Sequence, residues 1–317
     1  GKQRIKSLDI KTIIWHSIKK ILFSGSAFGK NTDRSLIEKF LYPSKGPGML
    51  WDCVAEECEN NGVTIVKNAY VEKIELINDK VESLFYKNQD GVQVKLNCSS
   101  VFSTMPLKNL FNSFFPPIDS TVLEIANKLE YRDFFIVGLL MPKLNFEPEQ
   151  GALIKDNWLY IQDKGVNVGR LQIFNNWSPY MVKGDDVWIG AEFFCHETDE
   201  IWKMKDSELA DLALTELEQI GILNKKKCLD SKVVRCPKAY PSYTGSYNKI
   251  DSLQQSLCKI ENLYPMGRNG LHKYNNQDHS MLTAFKAVEI YEGNGMGKDE
   301  IWEINSDEEY HEEKSKV

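Results

Sequence analysis

The sequence lacks several things that would have fixed its class at once. No apolar run is long enough to cross a bilayer; the longest, Phe134 to Met141, is eight residues. No Cys-x-x-Cys occurs among the seven scattered cysteines, and the odd number argues against a disulfide framework or a zinc site. No His-x-x-x-His pair and no serine or cysteine in a nucleophile elbow is present, so simple metalloenzyme and hydrolase readings have no support. There is no basic excess: the formal net charge is -6, which speaks against generic nucleic-acid binding. The basic start, Gly1 to Lys6, has no apolar stretch after it, so a signal peptide is not expected. A G-x-G-x-x-G turn is missing as well. Gly25 to Gly29 has the wrong spacing, and Gly293 to Lys298 follows a helical pattern instead of a strand.

What is present is an ordinary globular composition. Of the 317 residues, 42% are hydrophobic and 26% charged, enough apolar side chain for one large or two moderate domains. Apolar residues at helical spacing predict an amphipathic helix over 10–23, with His16 a packed or solvated member of it. The Pro/Gly turn Tyr42 to Gly48 leads into a helix to Asn60, stopped by Asn61-Gly62. Val63 to Val66 reads as a short buried strand. Residues 70–98 alternate with period two around turns at Asn78-Asp79 and Gln89-Asp90-Gly91, a three-stranded antiparallel meander. A short strand over 100–104 and a helix entry at Met105-Pro106-Leu107 follow.

Farther along, strands are predicted over 134–140, 158–161, 170–174 and 187–194. Helices are predicted over 121–129, 206–220 and 254–260, with a final buried helix over 280–291 and a charged tail over 307–316. The class is α+β.

Two polar stretches are candidate sites. Pro265 to Ser280 places Gly267, Arg268 and Gly270 ahead of a helix entrance dense in Asn, Asp and His, where backbone can approach a ligand and N–H groups favour an anion. Arg235 to Tyr247 carries Arg235, Lys238, Tyr240, Tyr243 and Tyr247; it reads equally as the lining of a cleft or as a proline-braced surface loop. Asn175 to Tyr180 reads as a loop.

Together these blocks resemble the flavin amine oxidase superfamily, which includes protoporphyrinogen oxidase-like proteins and UDP-galactopyranose mutases. Tyr42 to Trp51 is similar to the family's Y-P-x-G-G-x-G-x-L turn and helix. Gly62 to Ile65 with Val71 to Ile74 resembles the following strand pair. Val101 to Pro106 resembles the strand returning to the nucleotide sheet. Lys238 to Tyr243 is similar to an A-x-P-x-Y segment, and Leu263 to Arg268 to the strand that reaches the flavin. The texture of Tyr274 to Met281 is nearest to mutase-related proteins of LPS and surface-polysaccharide synthesis.

The resemblance implies a partial FAD-binding domain, Rossmann-like and carrying the meander, and a mixed-sheet substrate domain with helices. The expected limits are 1–41 for a helical part of the substrate domain, 42–108 for the FAD-binding remnant and 109–260 for the substrate domain. A return to the FAD domain spans 261–296, and the tail 297–317. It implies FAD as cofactor, held by Val71, Gly267, Arg268, Asp278 and Met281, with no metal and no assigned catalytic residue. Without the glycine fingerprint, the chain by itself is expected to hold FAD weakly or not at all.

A nucleotide sugar such as a UDP-sugar is the expected small-molecule substrate, met by Arg170, Arg235, Tyr240, Tyr243 and Tyr274. Mutase-type chemistry implies attack of reduced flavin on the anomeric carbon with UDP leaving. An oxidoreductase of the protoporphyrinogen oxidase type would instead line its cleft with Trp158, Tyr160, Phe174, Trp177 and Phe194. A non-catalytic binding module is the third expectation. Neither a nucleic acid nor a transmembrane segment is expected, and the expected location is cytoplasmic.

Overall fold

The computed structural model describes residues 41–145 and 154–305. The segment 10–23, His16 and the tail 307–316 lie outside the described residues. One compact unit runs from Leu41 to Tyr274, and Asn275 opens another. The architecture is mixed α+β, as the sequence pattern predicts.

The first unit starts with the Pro/Gly turn, where Gly46 takes a positive φ of 91°. Helix α1 (Gly48–Asn60) follows. It stops in a Schellman motif: Gly62 (φ 86°) donates to Glu59 O and Val63 donates to Cys58 O. The strand expected over Val63 to Val66 does not form. The Val63 N–H is taken by the helix end, and Val63 and Val66 are about half exposed.

The meander is found where the alternation places it: β1 (Tyr70–Ile77), β2 (Lys80–Lys87) and β3 (Gln93–Asn97). Asn78 and Asp79 both adopt positive φ in the two-residue hairpin, the conformation such turns require. At the second turn Asn88 Oδ1 accepts from the N–H groups of Asp90 and Val92. Strand β4 (Val101–Ser103) leads into α2 (Leu107–Ser113), whose end continues into β5 (Phe114–Phe115), parallel to β1. Helix α3 (Ser120–Asn127) is capped by Asp119, which accepts from Thr121 and Val122.

A five-stranded sheet organises the rest. It contains β6 (Tyr131–Met141), β7 (Trp158–Tyr160), β8 (Arg170–Ile173), β9 (Val187–Cys195) and β10 (Asp230–Pro241), in the order β10-β6-β9-β8-β7, with every pair antiparallel. The far end of the 235–247 stretch is loop, but its first seven residues are strand. Pro237 falls in a bulge between Cys236 and Tyr240, where no ladder N–H is needed.

Alternation gives this sheet two distinct faces. Phe135, Val137, Leu139 and Met141 of β6 point to the core with Leu171, Ile173, Ile189, Ala191 and Phe193. Phe135 and Phe193, cross-strand partners, stack at 4.8 Å. After the short helix α4 (Glu200–Lys203), α5 (Asp206–Gln219) covers this face with Leu209, Ala213 and Leu217, one turn apart.

Helix α6 (Ile250–Cys258) leads to β11 (Leu263–Pro265), which pairs parallel with β4. One turn of helix, α7 (Gly267–Gly270), follows.

The second unit contains α8 (Gln277–Tyr291) and α9 (Asp299–Glu303). The expected buried helix over 280–291 is corrected on two counts. It is followed by α9, which buries Ile301 and Trp302, and α8 itself buries only Thr283 and Ala287. Its large apolar residues Leu282, Phe285, Val288 and Tyr291 lie exposed along an i, i+3 ridge. Among the described residues no helix is long and apolar enough to cross a membrane.

Glu216 shows how tightly α5 is tied to the sheet. Its buried carboxylate accepts from the backbone N–H groups of Asn167 and Val168 and from Asn167 Nδ2 at 2.7–2.8 Å. Glu216→Ala leaves those donors facing a gap, and urea denaturation is expected to show a loss of about 3 kcal/mol.

Candidate functional site

The second face of the five-stranded sheet is where polar chemistry gathers. Opposed to the core positions, it carries Arg132 and Phe134 of β6, Glu192 and Phe194 of β9, Arg170 and Gln172 of β8, and Trp158 and Tyr160 of β7. Two close approaches shape it. A Cβ on Gly190 would lie 2.6 Å from Ile136 Cδ1 and 3.0 Å from the Phe174 ring, and one on Gly138 would lie 2.9 Å from Trp188. Glycine there lets aromatic rings lie flat on the strands.

Tyr240 reaches this face through the β10 bulge. Asp133, 4% exposed, holds the bulge: Oδ1 accepts from Lys238 N and Oδ2 from Glu197 N. Lys238 takes a positive φ of 52° inside it. Two extra residues are thereby absorbed, and Tyr240 comes opposite Arg132. Its ring lies 5.8 Å from Phe134, 5.9 Å from Phe194 and 5.9 Å from Tyr274, the last pair stacked.

Arg268 joins the same cluster. Its guanidinium lies 4.2 Å from the Tyr274 ring and 5.0 Å from Tyr240, while Nε donates to Ala239 O. Tyr243 completes it: the Tyr274 N–H donates to the Tyr243 hydroxyl at 2.6 Å, and burial raises the Tyr243 pKa.

Arg170 stands farther along the face. Its Nε and Nη2 both donate to Glu192 Oε2, at 2.7 and 2.6 Å. Burial alone would lower the guanidinium's pKa. The hydrogen bonds to Glu192 and Tyr160 outweigh it, so the pKa lies above its usual value.

The structure therefore places Arg170 and Tyr240 on the polar face, with Arg268, Tyr243 and Tyr274 around Tyr240, and Arg235 on the other side of the sheet. Arg235 pairs with Phe135 in register and so points to the core side. There its guanidinium binds Asp206, the Met204 carbonyl and the Trp202 carbonyl, so all three of its nitrogens are held by protein.

Trp158, Tyr160 and Phe194 share the polar face, and Phe174 lies over Gly190 beside it. Trp177 packs between Tyr42, at 5.2 Å, and Trp158, at 4.9 Å. Sequence reasoning missed Asp133, Gln172 and Glu192. Glu192 had a signal: a lone acid within the apolar strand VWIGAEFFC needs a partner.

The cofactor candidates lie in two other places. Val71, with Tyr70, Lys108, Asn109 and Asn112, lines a cavity of about 240 Å³ beside the meander. Gly267 (φ 76°) follows β11 at the end of the parallel β4–β11 pair, and a Cβ on Gly270 would lie 2.6 Å from Ser103 O. Asp278 and Met281 belong to the second unit, at the start of α8. Among the described residues no cluster of His, Cys, Asp and Glu could hold a metal.

A family model described as flavin containing amine oxidoreductase matches residues 17–269. The chain belongs to this family. Its cofactor is FAD, and the amine oxidoreductase fold is seen again in solved structures.

A reduced UDP-galactopyranose mutase shares it with a TM-score of 0.67 at 19% identity, covering 83% of this chain and 55% of the mutase. A protoporphyrinogen oxidase-like protein from Exiguobacterium sp. 255-15 matches at TM-score 0.50 and 15% identity, covering 70% of this chain and 47% of its own. Putrescine oxidase bound to putrescine matches at 0.54 and 13%, covering 78% and 53%. The chain thus spans about half the length of these family members. No curated protein matches the sequence.

The cavity beside Val71 offers Asn109, Asn112 and Lys108 as polar wall groups that suit part of FAD, with Glu72 beside them. The glycines after β11 are buried, and their close neighbours are Thr104 and Ser103 at the end of β4.

Two variants test this geometry. Asp133→Asn turns an NH₂ group against one backbone N–H, so the bulge should open; the Lys238 amide is expected to exchange with deuterium about tenfold faster. His272, fully buried at a positive φ of 49°, bonds Ser242 O through Nε2, while Nδ1 has no hydrogen bond among the described residues. Burial holds its pKa below the ordinary 6.5, so the unfolded chain takes up a proton first as pH falls. Stability present above about pH 6.5 is therefore expected to decline below it, and His272→Asn, which tolerates that backbone, should flatten the decline in urea titrations between pH 7.5 and 5.

Proposed function

We propose that the whole protein is a flavoenzyme acting on a nucleotide sugar, with chemistry of the UDP-galactopyranose mutase kind. The observation that carries this reading is the composition of the polar sheet face, where Arg132 and Arg170 lie with Tyr160 and Tyr240, and Arg268, Tyr243 and Tyr274 gather beside Tyr240. Guanidinium and phenol groups are donors suited to a diphosphate and to sugar hydroxyls.

In this reading Arg170, Tyr240, Tyr243 and Tyr274 bind and orient the nucleotide sugar. Fixed donors stabilise the charge that builds on the departing diphosphate, and they need no reorganisation as it leaves. Val71, Gly267, Arg268, Asp278 and Met281 would hold FAD. When bound and reduced, that cofactor supplies the nucleophile for the anomeric carbon. A cytoplasmic role in assembling surface polysaccharide follows from the same resemblance.

Trp158, Tyr160 and Phe194 on this face favour a second reading, an oxidoreductase with a larger apolar substrate.

The test is a visible absorption spectrum of the whole protein, together with assays on UDP-galactopyranose and UDP-galactofuranose under reducing conditions. Flavin bands with interconversion are expected. Bands without turnover would transfer the assignment to the oxidoreductase, and a colourless whole protein would overturn both.

A further inference from the structure

We infer that Glu192 is a positioning residue: its buried carboxylate fixes one edge of the Arg170 guanidinium and so sets the direction in which Arg170 meets a ligand. This rests on the proposed role of Arg170 as a nucleotide-sugar contact.

Glu192 is 1% exposed, in the middle of β9. A carboxylate there is tolerable only with both oxygens satisfied, and both are. Oε2 takes the two Arg170 donors, and Oε1 takes Gln172 Nε2. Arg170 stands directly opposite Glu192 in the ladder, so the bond runs straight across the strands. Trp158 and Tyr160 of β7 flank the guanidinium at 5.5 and 6.0 Å. One edge is held by protein and the sides by rings; the remaining polar neighbour is Tyr160, itself 70% exposed.

Arg235 shows what a purely structural arginine looks like in this protein. All three of its nitrogens end on protein acceptors. Arg170 is held by Glu192 along one edge, and its other polar neighbour is the exposed Tyr160 rather than a core acceptor. A planar fork clamped this way has lost the freedom to turn before the ligand arrives, which lowers the cost of binding.

The experiment measures UDP affinity of the whole flavoprotein by titration, with thermal melting of each variant as a folding control. In Glu192→Gln a neutral amide replaces the carboxylate: turned one way it sets NH₂ against the Arg170 donors, and turned the other it leaves Arg170 a single neutral acceptor, so the charge-assisted clamp is weakened either way. UDP binding is expected to weaken about tenfold, and Arg170→Ala to weaken it further. The double variant should bind no worse than Arg170→Ala, because the carboxylate acts only through the arginine; a carboxylate that merely stabilises the fold would add its effect.

Should Glu192→Gln fail to fold, Gln172→Leu reads the same coupling. It is expected to weaken UDP binding about threefold with Arg170 present and not at all with Arg170→Ala. Wild-type UDP affinity in Glu192→Gln, or additive effects in the double variant, would overturn the positioning role while leaving the nucleotide-sugar reading standing. Unchanged affinity in Arg170→Ala would overturn both.

Discussion

Everything on the polar face depends on how β6 alternates. Its odd-numbered residues from Phe135 to Met141 are locked into the core by α5 and by the β9 side chains. The even-numbered ones therefore have no choice of side. Because the ladder is antiparallel throughout, that parity passes outward, to Glu192 and Phe194, then Arg170 and Gln172, then Trp158 and Tyr160. A slip of one residue anywhere would turn Glu192 and Arg170 into the apolar core and turn core side chains to the polar face, so hydrophobic burial on one face fixes the chemistry of the other.

Asp133 extends the same logic to the tenth strand. Regular pairing would carry Tyr240 past the end of β6. By accepting from the Lys238 and Glu197 amides, a single buried carboxylate holds two surplus residues in the bulge and brings Tyr240 beside Phe134 and Phe194. Buried acids recur in this role: Glu216 fixes the approach to β8 and Glu192 fixes an arginine within it. In each case the cost of desolvation is offset by the donors that the carboxylate accepts from.

The meander was legible because its signals are local. Alternation and the Asn78-Asp79 turn act within a few residues of each other. The same holds for α1 and its Asn61-Gly62 stop. What sequence could not resolve was set by distant pairing. Arg170 and Arg235 look equivalent in the chain; only the register Arg235↔Phe135 sends one to the core and leaves the other on the polar face. Strand β10 was hidden by Pro237 and Pro241, which suited a proline-braced loop as well as a cleft lining; the bulge accounts for the first. Helix α8 misled for the opposite reason: its apolar content is high, but the small residues point inward and the large ones outward.

The tryptophans at the edge of the face have an optical consequence. Trp158 is 45% exposed, lies 5.5 Å from the Arg170 guanidinium and meets Trp177 edge-on, with Tyr42 stacked behind. An indole in that position changes its emission whenever the neighbouring cation is reoriented or water beside it is replaced. The fold thus carries its own fluorescent gauge of what happens at Arg170, placed by the strand ladder and needing no label.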